Sequence, residues 1–219
     1  WRSEPVFGDH DLPLRLRGLS DLAVVTGRIS NALGEGVGNL TVQAFDEQNT
    51  LISSTATSLS ATGTAAGTYR LLLDPTLPRN PAGPLRIVVR PGTGQDSTLP
   101  VLEATLPLPP ANSQSRVDFA IPSYRKPVMY QLPIRGSAAS AAPPVAGARV
   151  RMQVMLEDAA TIKLGHKAYY SATGDSDAQG TARLLLVPAP IGGSNLPYQV
   201  TIASPSQSPY ASVAQQELQ

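Results

Sequence analysis

His10 and His166 are the only imidazoles in the chain, and a Ser-His-Asp hydrolase would need one of them as its base. His166 lies in Gly165-His166-Lys167, which reads as a polar loop or strand edge, and no Gly-x-Ser-x-Gly elbow presents a nucleophile. A solvated histidine is the plainer reading, with a hydrolase using His166 kept as an alternative. Asp9-His10-Asp11 carries metal-ligating types, but neighbours in an extended chain point to opposite faces and cannot all converge on one ion. Asp175-Ser176-Asp177-Ala178-Gln179-Gly180 resembles the first half of a calcium loop. The glutamate required at its twelfth position is Leu186 here, so an Asp/Gly β-turn fits better. Tyr169-Tyr170 could stack on a sugar, although successive strand residues face opposite ways and only one can reach the surface. The candidate binding residues are therefore Tyr169, Tyr170, His166, Asp175 and Asp177. No catalytic group, metal or cofactor is expected.

Composition narrows the classes further. The 219 residues hold 17 Lys+Arg against 16 Asp+Glu, a net charge of +1. That balance speaks against nucleic acid, whose binding needs a basic face. The absence of cysteine removes thiol nucleophiles, zinc knuckles, Fe–S clusters and disulfides. No apolar run approaches the length of a membrane span. Arginine outnumbers lysine 14 to 3, a bias that suggests a GC-rich, bacterial genome. The chain starts at Trp1, as a mature or trimmed form would, and a removed signal or lipid-anchor segment would not be visible.

The elements that must position these residues are short strands. Residues 1–20 read as a polar arm with one short strand over Pro13–Arg17. Strands are then predicted over Leu22–Ile29, Leu40–Phe45, Leu51–Leu59, Tyr69–Leu73, Leu85–Arg90, Val101–Leu108 and Arg116–Ile121, separated by Gly-, Asn- and Pro-rich turns. With 21 prolines and 18 glycines, long helices have little room. Only Glu157–Leu164 could form a helical turn or two. Ser123–Pro127 reads as a linker.

The second half repeats the first. Gly67-Thr68-Tyr69-Arg70-Leu71-Leu72-Leu73 matches Gly180-Thr181-Ala182-Arg183-Leu184-Leu185-Leu186 at all but one position. Ser60-Ala61-Thr62-Gly63 matches Ser171-Ala172-Thr173-Gly174, Val37–Val42 aligns with Val145–Val150, and Leu85–Val89 with Tyr198–Ile202. Gly27-Arg28 answers Arg135-Gly136 loosely. Gly67 and Gly180 suit positive φ, and leucines on both faces of each ribbon suggest a central or covered strand. The expected organisation is a 1–20 arm, a first β-sandwich domain over 21–123 and a second over 124–219, all-β and related by internal duplication.

Val25-Thr26-Gly27-Arg28-Ile29, then Gly36-Val37 and Leu40-Thr41-Val42, then Gly67–Leu71 resemble the carboxypeptidase regulatory-like domain, a transthyretin-like (prealbumin-like), Ig-like β-sandwich. Pro144-Val145-Ala146-Gly147-Ala148-Arg149-Val150 and Thr173–Ala182 carry the resemblance more closely. In the first copy Ala65-Ala66 stand where that family has acidic residues, and in the second Ala182 stands where the first has Tyr69. The resemblance implies a fold shared by surface proteins, transporters and enzymes. With no convergent polar cluster, the expected function is a non-enzymatic interaction or structural module of a bacterial envelope or secreted protein, sited in the periplasm, on the outer-membrane surface or outside the cell. It would grip a protein partner by loops or an edge strand. A carbohydrate-binding module is the first alternative.

Overall fold

A computed structural model describes residues 18, 21–57, 65–75, 83–92, 98–137, 142–156, 159–189, 196–206, 209–210 and 212–218. The polar arm with Asp9-His10-Asp11, the strand expected over Pro13–Arg17, and Ser60–Gly63 lie outside the described residues.

The chain is all-β apart from one short helix. In the first half, β1 (Ala23–Ser30) lies between β4 (Thr68–Leu73), antiparallel to it, and β7 (Gln114–Arg116), parallel to it; β8 (Phe119–Ala120) continues that parallel pairing. The strand expected over Arg116–Ile121 is thus two short strands, broken at Val117-Asp118. Facing this sheet run β3 (Leu51–Ala56), β2 (Leu40–Phe45), β5 (Leu85–Pro91) and β6 (Val101–Leu106), in that order. β1 and β2 show strict inside/outside alternation, the period-two pattern of a half-buried strand. β4 is an edge strand and its middle leucine, Leu72, is exposed. The central placement expected for the leucine ribbon does not hold, because only Leu71 and Leu73 point into the core.

The second half uses the same pairing scheme. β9 (Val128–Pro133) pairs with β12 (Thr181–Leu186), while β11 (Lys167–Asp175), β10 (Arg149–Met155), β13 (Tyr198–Ala203) and β14 (Val213–Leu218) follow one another in the second sheet. Helix α1 (Ala159–Leu164) sits between β10 and β11, within the segment singled out as able to form a helical turn.

Backbone hydrogen bonds give the correspondence residue by residue. Ile29 N–H donates to Gly67 O (3.0 Å), as Ile134 N–H does to Gly180 O (2.6 Å). Gly67 (φ 73°) and Gly180 (φ 70°) both take the left-handed conformation expected of them. Thr57 N–H donates to Leu40 O and Leu40 N–H to Thr57 Oγ1; Ser176 N–H donates to Ala148 O and Ala148 N–H to Ser176 Oγ. Both hydroxyl residues are buried. These contacts correct two alignments. Tyr69 opposes Gly27 and Ala182 opposes Leu132, so the counterpart of Gly27-Arg28 is Leu132-Pro133, not Arg135-Gly136. Val42 opposes Thr55 and Val150 opposes Gly174, so Gly174 answers Thr55 rather than Gly63.

The halves are not separate beads. β11 pairs antiparallel with β6 over three residues, Lys167↔Glu103, Ala168↔Leu102 and Tyr169↔Val101, which makes one eight-stranded sheet across both. The connecting segment is held on each side: Tyr124 Oη donates to Thr98 O and Arg125 Nη1 to Ala189 O, both at 2.8 Å. A single hydrophobic cluster includes buried side chains of both halves.

Candidate functional site

The sequence-nominated residues go to different places. Tyr170 is 2% exposed in the core, with its hydroxyl donating to Leu185 O. It cannot serve as a sugar platform. Tyr169 is half-buried at the β6–β11 seam and donates to Glu103 Oε1 at 2.8 Å. Burial, followed by the Glu103 contact, pushes its hydroxyl up to about 12. Glu103 also receives Arg86 Nη1 (3.1 Å), and that guanidinium lies 5.3 Å from the Phe45 ring centre. This tyrosine joins the halves.

Asp175 Oδ1 receives Arg149 Nε at 3.2 Å. Asp177 Oδ1 accepts the N–H groups of Gln179 and Thr181, an Asx-type turn. Between them Ser176 Oγ donates to Val145 O at 2.7 Å. Asp175 is engaged with an arginine, and Asp177 builds the turn that delivers β12. No group of three or more ligating side chains able to hold a metal occurs among the described residues.

His166 follows α1, with its N–H donating to Thr161 O. Its ring packs on Phe119 of β8, 4.7 Å between centres, and Nδ1 is buried without a hydrogen-bond partner. The solvated histidine expected from the sequence is corrected: His166 is a half-buried junction residue. Burial lowers its pKa and the nearby Asp118 carboxylate opposes that shift. Asp118 accepts Arg28 N–H on Oδ1 and Arg116 Nε on Oδ2. Tyr69 completes the cluster, its hydroxyl donating to Val117 O (2.6 Å) and its ring tilted against Phe119.

The feature that sequence reasoning missed is at β9. The leucine ribbons align Val25, Val24 and Ala23 of β1 with Tyr130, Met129 and Val128 of β9. In β1 the inward-facing Ala23 and Val25 are both 0% exposed; their counterparts Val128 and Tyr130 are 45% and 40% exposed, with Met129 at 58% between them. The cause is a difference in cover. The far edge of β1 is closed by β7 and β8, whereas among the described residues no strand pairs with the far edge of β9. Beyond the end of β9 lies a cavity of about 650 Å³ lined by Ile134, Arg135, Val145, Ile202 and Tyr210 among others. Ile134 and Arg135 are the counterparts of Ile29 and Ser30, which pair with Phe119 and Ala120. The sequence signal was present in Val128-Met129-Tyr130, three large side chains in succession with no polar alternation.

No family model matches the chain, and no curated protein matches it. Among solved structures it is similar to the Bacillus anthracis TIE protein at a TM-score of 0.32 and 11% identity, over 90% of this chain and 32% of that one. It is also similar to a mutant form of the shaft pilin spaA from Lactobacillus rhamnosus GG, at a TM-score of 0.30 and 9% identity over 90% and 92% of the two chains. GBS52, the minor pilin of Streptococcus agalactiae, matches at a TM-score of 0.31 and 11% identity over 89% and 91%. The chain spans about a third of the length of the first of these. At such TM-scores the likeness carries no functional argument.

Proposed function

We propose that this chain is a non-enzymatic interaction module of a bacterial envelope or secreted protein, built as two tandem transthyretin-like β-sandwich domains (21–123 and 124–219) of the carboxypeptidase regulatory-like kind, and that it engages a protein partner through an open sheet edge. The observation that carries this reading is that β4 and β9, each paired with one strand among the described residues, present large apolar side chains outward, Leu72 on β4 and Met129 on β9. An edge strand with unused backbone groups and apolar side chains is a template for strand addition. The polar residues nominated as sites support the same reading, since Asp175, Asp177, Tyr169 and His166 are each occupied in building turns or the seam between halves. No described helix is long and apolar enough to cross a membrane.

The test is to fractionate the producing cells with the native chain carrying a photo-crosslinking residue at Met129 or, as control, at the more exposed Leu33 in the turn between β1 and β2. Recovery in the envelope or medium with an adduct specific to position 129 is the expected result. Residence in the cytoplasm overturns the envelope assignment, and equal labelling from both positions overturns the edge.

A further inference from the structure

We infer that His166 is an acid-sensitive latch between the halves: neutral, it holds α1 against β8, and its protonation releases that contact while the β6–β11 ladder stays closed. This goes beyond the proposed function and does not depend on which edge a partner takes.

The latch is built from the backbone up. The chain leaves β10, forms α1 and returns into β11, and Leu156 N–H donates to Ala168 O (2.8 Å) at the foot of that excursion. Gly165 follows the helix in the left-handed conformation (φ 66°), and His166 N–H donates back to Thr161 O (3.0 Å). That is the six-to-one bond of a Schellman cap, whose outer residue commonly makes an apolar contact. The cap fixes the direction in which the His166 side chain leaves the helix end, and the ring lies on Phe119, 4.7 Å between centres. Phe119 is 2% exposed and belongs to a strand held to β1 by two register pairs, Ile29↔Phe119 and Ser30↔Ala120. The corresponding hairpin of the first half has no such device, since β2 and β3 are joined by a tight turn in which Asp46 N–H donates to Thr50 O. The latch therefore belongs to the second half and closes on the first.

The groups around the ring decide the sign of its response. From the first half, Asp118 faces the ring and favours the imidazolium, although its oxygens already accept Arg28 N–H and Arg116 Nε. The Phe119 face also attracts a cation. The Tyr69 hydroxyl is bonded to Val117 O and burial keeps it un-ionised. In the second half the charged neighbours are Lys163 and Lys167, both exposed, and they offer a cation no attraction. Against the favourable contacts stands Nδ1, buried with no hydrogen-bond partner. Protonated, it becomes a charged donor with no acceptor and no water. Burial is the larger influence and holds the ring below the usual imidazole range. His166 is therefore neutral near pH 7. Once α1 lifts from β8, Nδ1 meets water and takes its proton at the ordinary value, so acid favours the lifted form.

The test follows hydrogen exchange of the full chain from pH 7.5 to 5, each rate divided by its intrinsic value. Protection over Thr161–His166 and Phe119–Ala120 should fall at least threefold, while β2, β10 and the ladder residues Lys167–Tyr169 keep theirs. His166→Phe keeps a ring on Phe119 and removes the titration, so protection should no longer change with pH. Asp118→Asn keeps an oxygen for Arg28 N–H and withdraws the carboxylate that favours the charged ring, so the acid-induced loss should grow. Circular dichroism monitors the fold of both variants. NMR titration of the native imidazole needs no substitution and should give a midpoint below about 6.5. Protection at α1 and β8 that is flat, or that rises as pH falls, overturns the inference. So does an equal loss in His166→Phe, a parallel loss from β2 and β10, or an imidazole midpoint at or above the ordinary value.

Discussion

Strands β1 and β9 sit at the same place in the same pairing scheme, yet β1 is flanked on both sides while β9 is flanked only by β12 among the described residues. The first half pairs Gly27 with Tyr69 and covers both with the chain at Val117 and Phe119. The second pairs Leu132 with Ala182 and has no such cover among its described residues. The large side chain stands on opposite strands of the two pairs, and interior volume is conserved within a cross-strand pair more readily than at one position. At Gly27 the missing side chain is what lets the chain at Val117 lie close. Identical register does not mean identical edges.

That contrast can be broken experimentally, beginning where the expected loss of stability is greatest. Phe119→Ala removes the buried side chain on which His166 and Tyr69 pack and should cost about 3–5 kcal/mol, measured by urea denaturation; Tyr130→Ala, at the half-exposed counterpart of Val25, should cost far less. Equal losses would mean that β9 is covered in solution. Gly27→Ala places a methyl against Val117 O and should cost about 3 kcal/mol by overpacking, whereas Leu132→Ala, with no described strand above it, should be milder. Ser176→Ala leaves Val145 O and Ala148 N–H without their buried partner, a loss of about 1–3 kcal/mol. Thr57→Val, which removes the hydroxyl bonded to Leu40 N–H, should fall at the lower end of that range. Tyr169→Phe removes the bond to Glu103 at the seam and should cost about 0.5–1.5 kcal/mol, read from the same denaturation curves.

The smallest effect is the dependence on pH of the junction histidine. Burial lowers the His166 pKa in the folded chain, so the unfolded chain takes up its proton first as pH falls. Stability attributable to the neutral ring is complete above the unfolded value of about 6.5 and is lost as pH drops from there through the folded value. His166→Gln should flatten that part of the curve, and the difference between the two melting profiles from pH 7.5 to 5 isolates it from the carboxylates. Parallel profiles would show that the ring is protonated as easily folded as unfolded.

Much of the fold was legible because strand signals are local. The two positive-φ glycines and the alternation in β2 follow from turn chemistry and period two, and the structure places them as read; the Leu-Leu-Leu ribbons are strands, as read, but not central ones. What was not legible depends on edges. Nothing in Thr-Tyr-Arg-Leu-Leu-Leu says that β4 is last in its sheet, so the exposure of Leu72 could not be read from it. Nor does Gly-His-Lys reveal that α1 carries His166 onto Phe119, a contact between residues 47 positions apart. The Asp-Ser-Asp triplet was read for its carboxylates, while the serine between them is the buried member. Val128-Met129-Tyr130 are exposed on β9, which a run of three large side chains does not by itself say.

The three-residue ladder between β6 and β11 has a mechanical meaning. Eight strands in one hydrogen-bonded series reach roughly 34 Å from first to last at the usual interstrand spacing, and the seam lies across the middle of that series. Torque applied at one end of the molecule would pass through backbone hydrogen bonds and the Glu103–Tyr169 clasp instead of dissipating in a swivelling tether. A molecule built this way holds its angle as well as its length.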